Sequence, residues 1–90
     1  MGVPTLYQLS ADQVEEIAAA GASGSMHNNS TDTSIYITQA LSAPTAVDIK
    51  KGPRHELTPK SDRYYESVGG LYKFYALSVV DCDLSVFPKD

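Results

Sequence analysis

Polar and apolar positions follow three different rhythms along this chain. In "LSADQVEEIAAAG", Leu9 to Gly21, the apolar residues Val14, Ile17 and Ala18 recur at the three- and four-residue spacing of one helix face. Ser10 stands at the N-cap position and Gln13, three residues on, completes a capping box. Leu9 and Val14 have hydrophobic-staple spacing. Asp12, Glu15 and Glu16 load the early turns with negative charge, which the helix dipole favours. Gly21 offers a left-handed ending. The pattern predicts a helix over about 10–20, too short to stand alone. "GASGSMHNNSTDTS", residues 21–34, is small, polar and unpatterned, and predicts a flexible linker between helix and sheet.

From Ser34 the period becomes two. "SIYITQAL" alternates Ile35, Ile37 and Leu41 against Tyr36, Thr38 and Ala40, a strand. "TAVDIKK" resumes with Val47 and Ile49 opposite Asp48 and Lys50, a second strand. "GPRHELTPKSD" carries Gly52, Pro53 and Pro59 and predicts a basic loop. The densest aromatic stretch follows: "YYESVGGLYKFY", Tyr64 to Tyr75. Gly69-Gly70 is a two-residue hairpin signal, because both central positions of a type I′ turn need positive φ. That turn would pair Glu66 with Lys73, Tyr65 with Phe74 and Tyr64 with Tyr75. Cross-strand pairs of this kind contribute roughly 0.2–1 kcal/mol each. "VVDCDLSVFPKD" then prolongs the last strand, with a bulge or change of sheet at Asp81-Cys82-Asp83.

The expected fold is therefore α+β: one N-terminal helix (about 10–20), then a mainly antiparallel sheet of four or five strands. The sheet could be open or closed into a small barrel, and would include the Gly69-Gly70 β-hairpin. All 90 residues form a single small domain. Composition adds that the core is thin. Leu, Ile, Val and Phe make up about 22% of the chain, just above what disorder would require, so stability is expected to draw on a partner or on further copies.

Charge narrows the function. The net charge of −4 counts against a free-standing nucleic-acid binder. The positive charge is concentrated, however: Lys50, Lys51, Arg54, Lys60 and Arg63 fall within 50–63, and no Lys or Arg precedes Lys50. One cysteine, Cys82, allows no internal disulfide and fits a reducing compartment. No apolar run approaches the ~20 residues of a membrane span, and the opening residues carry neither the basic nor the apolar region of a secretory signal.

Leu9-Ser10, Gln13-Val14 and Ile17 also resemble the leader of double-glycine secreted peptides. Here Ala19-Ala20 stands in place of the glycine pair and Gln13 in place of the glutamate. The resemblance implies a cleaved leader helix, although helix capping accounts for the same residues.

No constellation points to catalysis. Asp81 and Asp83 share one side of a strand but are too few for a cation site. Cys82 lacks an activating neighbour, and His27 and His55 lie in expected loops without a nucleophile. No phosphate-binding glycine loop or zinc spacing is present, so no catalytic residue, metal or cofactor is expected.

The expected function is a non-catalytic structural or assembly protein, a small component of a virion or other large assembly. It would act on a protein partner or on copies of itself, without a membrane, in the cytoplasm or in a virion. Tyr65, Tyr72 and Phe74 on the spare ribbon face, and Lys50, Lys51, Arg54 and Arg63 in the basic loop, are the candidate contact residues. One alternative is a small acidic inhibitor, encoded by a phage or mobile element, that binds a host protein through Asp12, Glu15 and Glu16. Another is single-stranded nucleic-acid binding through the 50–63 loop.

Overall fold

The alternation that predicts one strand at 34–41 in fact runs through most of the chain. The computed structural model describes residues 4–67 and 70–89, and its regular elements are strands but for one short helix. In chain order they are β1 (Thr5–Leu9), β2 (Glu15–Ala18), β3 (Ser23–Asn28), β4 (Ile35–Ala40), α1 (Ala46–Lys51), β5 (His55–Leu57), β6 (Asp62–Glu66), β7 (Lys73–Leu77) and β8 (Cys82–Pro88). They form two antiparallel four-stranded sheets, ordered β1-β8-β3-β6 and β2-β7-β4-β5. The pairs β4–β5, β3–β6, β2–β7 and β1–β8 are nested one inside the next. The chain is thus one long antiparallel ribbon with α1 at its tip, rolled so that successive strands alternate between sheets except at the β4–β5 tip. This is the connectivity of a jelly roll.

The two sheets face each other across the core. Leu9, Met26, Tyr65, Leu84 and Val86 come from the first sheet, and Ile17, Ile35, Ile37, Leu57, Phe74 and Ala76 from the second. Each strand sends alternate residues inward, as in β3, where Gly24, Met26 and Asn28 are buried and their neighbours only half so. Asn28 is fully buried yet satisfied: its side-chain amide donates to the carbonyls of Thr33 and Leu57, and its oxygen accepts from Ser30 N–H. It ties the 29–34 turn to the end of β5.

The expected α+β fold is overturned. No helix occupies 10–20. Asp12 has φ 58°, and its N–H donates to the Ser78 carbonyl. The Ala11 N–H is taken by the Asp81 carboxylate. The apolar positions three apart are reconciled by a β-bulge, since Glu15, Glu16 and Ala18 have partners on β7 and Ile17 is the extra residue. Ile17 thereby reaches the core, while Val14 packs on the opposite face of the second sheet. The leader-like stretch begins at the end of β1 and continues into β2, the edge strand of the second sheet. β3, Ser23–Asn28, lies within residues 21–34, the expected linker.

The Gly69-Gly70 β-hairpin is also overturned in its flanks, since β6 pairs with β3 and β7 with β2 and β4, in different sheets. Gly69 itself lies outside the described residues. The expected strand at 45–51 is α1. Thr45 caps it, accepting from Asp48 N–H, while the Asp48 carboxylate accepts from Thr45 N–H. Its buried Ile49 packs with Tyr75 and Leu77 on the outer side of the second sheet.

Candidate functional site

The two outer faces of the sandwich differ. The second sheet's is covered in part by α1, whereas nothing among the described residues covers the first sheet's. The strand registers fix what that bare face presents. One row runs Leu6, Ser85, His27, Asp62 across β1, β8, β3 and β6; the next runs Phe87, Ser25, Tyr64. Phe87 and Tyr64 flank a serine two strands apart, roughly 10 Å, and are 46% and 56% exposed; Leu6 is 55% exposed. Serines lie between the two aromatic side chains and the leucine, and the exposed carboxylates Asp62, Glu66 and Asp83 share the face. Tyrosine and phenylalanine in such a setting mark a surface that gains from losing water.

The polar centre of this face is ordered. His27 Nδ1 lies 2.6 Å from an Asp62 carboxylate oxygen, and Asn29 donates to Ser85 Oγ at 2.7 Å. Ser85, His27 and Asp62 thus stand in line across three strands. β8 has a strand on each side, so its backbone N–H groups are taken up by the two ladders.

A second feature opens at one side of the sandwich. β5 pairs only with Ile35–Ile37, because α1 takes up the return path before it. The gap between the β6 edge and the β4/β5 edge is a cleft of about 150 Å³, floored by Met26, Ile37 and Phe74. It shares Ile37, Gln39 and His55 with a shallower groove beside Pro53 and Arg54. Arg63 donates to His55 Nδ1 at 2.8 Å. A guanidinium has only donors, so His55 carries its proton on Nε2 there.

No protein-family model, curated protein or solved structure matches this chain.

The candidate residues are dispersed. Tyr65 and Phe74 do meet, edge to face with ring centroids 5.1 Å apart, but across the core, each 4% exposed. Burial removes them from any surface. Tyr72 is half-buried, its carbonyl accepting from Ser67 Oγ. Lys50 and Lys51 form the last turn of α1, where positive charge suits the dipole. Lys50 is bonded to Asp12 at 2.7 Å. Arg54 donates to the Lys50 carbonyl and lies 4.8 Å over the Tyr36 ring, and Arg63 stands on the cleft wall. Of the acidic trio, Asp12 is thus tied to Lys50, and Glu16 lies 3.6 Å from Lys73.

Burial is the largest of the causes that push the Tyr7 phenol up, followed by the charges of Glu15 and Glu16. Tyr65 is raised by burial and then by Tyr7. Cys82 is a free, half-buried thiol that donates to Ser78 Oγ. No group of three metal-ligating side chains occurs among the described residues, and no helix there is long and apolar enough to cross a membrane. The bare face was missed because its residues come from four strands far apart in the chain. The one available signal was the alternation of "CDLSVF", which sends Phe87 away from Leu84 and Val86.

Proposed function

We propose that this chain is a non-catalytic structural or assembly protein that works through protein–protein contacts, as a small component of a virion or other large assembly. The observation that carries the reading is the bare outer face of the first sheet, with Leu6, Tyr64 and Phe87 exposed among serines and the carboxylates Asp62, Glu66 and Asp83. Jelly-roll architecture serves capsids, lectins and cupins alike, so the fold is compatible with this role without selecting it. The partner is another protein or further copies of the chain, in the cytoplasm or within a virion.

The alternatives draw less support. An acidic inhibitor would need Asp12, Glu15 and Glu16 free, and two of the three have lysine partners. Nucleic-acid binding would need the 50–63 basic residues gathered on one open surface, yet Lys50 is bonded to Asp12 and Arg54 lies over Tyr36.

The test is the solution mass over a wide concentration range, by light scattering after size exclusion. The wild-type chain is expected to form species above the monomer. Phe87→Ser and Tyr64→Ser, at exposed positions, should weaken that association by tenfold or more while leaving the circular dichroism unchanged. Association unaltered by both substitutions would remove the outer face from the reading.

A further inference from the structure

β6 is an edge strand, hydrogen-bonded to β3 alone. Their register runs without a bulge from Ser23 opposite Glu66 to His27 opposite Asp62. Just beyond its two ends, Ser67 N–H donates to the Ala22 carbonyl and Asn28 N–H to the Ser61 carbonyl. Bonding alternates along an antiparallel strand, so Arg63 and Tyr65 direct their backbone groups to β3. The N–H and C=O groups of Asp62, Tyr64 and Glu66 point the other way, off the sheet. Tyr64 and Glu66 accordingly line the cleft floored by Met26, Ile37 and Phe74.

A row of donors and acceptors at strand spacing is a template for an added strand. The two sides of β6 select among the strands it could take. The outer side reads carboxylate, aromatic, carboxylate in Asp62, Tyr64 and Glu66, all exposed. Glu66 has no ion-pair partner among the described residues, and Asp62 keeps a 77% exposed side chain despite its bond to His27. The inner side meets the cleft, whose volume is about 150 Å³, room for one aromatic ring. Arg63 turns to that inner side and bonds to His55.

We infer that the β6 edge takes an extended segment of a different protein, with Lys or Arg at its two ends and apolar residues at the inward positions between them. This rests on the assembly reading above and names the partner's chemistry. Laid antiparallel on β6, the segment sets its cations opposite Asp62 and Glu66. The residue opposite Tyr65 then points into the cleft.

The chain's own edges do not fit. β6 against β6, centred on Tyr64, opposes Asp62 with Glu66 twice, and like charges directly opposite are destabilising. β2 carries Glu15 and Glu16, β5 is three residues long with Glu56 at its centre, and β1 has no charged residue. None of these edges offers a pair of cations, so the partner is not a second copy's edge.

The probe is a capped peptide, acetyl-TKFTFKT-amide, titrated into the isotope-labelled chain. It should bind saturably, and the amides of Asp62, Tyr64 and Glu66 should gain protection from hydrogen exchange. Those of Arg63 and Tyr65, already in the ladder, should keep theirs. The glutamate counterpart, acetyl-TEFTFET-amide, should bind more weakly by tenfold or more. Methylating the backbone nitrogen of the central threonine should weaken binding as much, because it removes a ladder bond. Glu66→Lys, at an exposed position, should lose affinity for the lysine peptide with its circular dichroism unchanged.

Absence of saturable binding, protection gained at other amides, or equal affinity for the two peptides would overturn the edge site. So would a folded Glu66→Lys variant that binds like wild type. Phe87→Ser leaves the β6 edge intact and should bind the peptide normally. If the wild-type chain ignores the peptide while Phe87→Ser weakens self-association, the edge site falls and the outer-face reading stands. If the peptide binds while Phe87→Ser and Tyr64→Ser leave association unaltered, the edge site stands and the outer-face reading falls.

Discussion

A methyl group at Gly24 would collide with the Phe87 carbonyl, and would stand 2.9 Å from the Tyr65 hydroxyl and 3.0 Å from Lys89 N. Gly24 lies in β3 between β6 and β8, facing inward, with φ 158°. Its missing side chain is what lets the Tyr65 phenol lie across the first sheet. Gly24→Ala should therefore destabilise the fold by about 1–3 kcal/mol, the cost of overpacking a filled core, measured from urea midpoints at unchanged slope. A change below about 0.5 kcal/mol, typical of unremarkable surface positions, would mean the approach is not tight. In "GASGS" nothing distinguishes this glycine from a linker glycine, since its necessity comes from β8, more than sixty positions away. Tyr65 and Phe74 were legible as partners but not as core. Adjacent aromatics flanking two glycines fit a cross-strand pair as well as a contact between sheets, and only the sheet assignment separates the two.

At the scale of elements, the capping box expected at Ser10 and Gln13 heads no helix, whereas Thr45 and Asp48, in a stretch whose alternation predicts a strand, cap one. Ser10 with Gln13 heads a stretch whose single large core residue, Ile17, is buried more fully as a strand on β7's open edge than a lone short helix would allow. Thr45 with Asp48 sits at the ribbon tip, where no ladder partner competes, and there the local signal prevails. Asp48 is held below the usual carboxylate range, first by the Thr45 backbone N–H and then by its hydroxyl. A depressed folded value means the cap's contribution is fully present above the unfolded carboxyl value of about 3.9 and is lost as the pH falls through the folded one. The protection factor of the Ile49 amide, which donates to the Thr45 carbonyl, should therefore drop in acid before the sheets unfold. Asp48→Asn should abolish that pH dependence. Protection in the parent chain that stays flat to the point of global unfolding would show that the cap does not hold α1. The basic loop was legible as a charge cluster, but not its dispersal over a helix end, an aromatic face and a cleft wall, because α1 was read as a strand.

The whole molecule is a ribbon rolled from its tip, and this order of closure governs how it can fold. Of the nested pairs, β4–β5 spans the shortest loop, residues 41–54, and β1–β8 joins nearly the two ends of the chain. Closing a longer loop costs more entropy before any contact is gained, and folds dominated by distant pairing take milliseconds to seconds. The inner pair is thus the natural nucleus, with the outer pairs added as the ribbon rolls. Two mild core truncations separate these stages. Ile35→Val alters the β4–β5 pair, where Ile35 faces Leu57; Val86→Ala alters the β1–β8 pair, where Val86 faces Thr5. Both residues are buried, at 0% and 2% exposure, and Ile→Val should cost about 0.5–1.5 kcal/mol. In stopped-flow refolding followed by tyrosine fluorescence, Ile35→Val should act mainly by slowing folding. Val86→Ala should act mainly by speeding unfolding. If Val86→Ala slows folding as strongly as Ile35→Val, the ends must meet before the tip closes. The two sheets would then form together, and the nested order would describe only the finished structure.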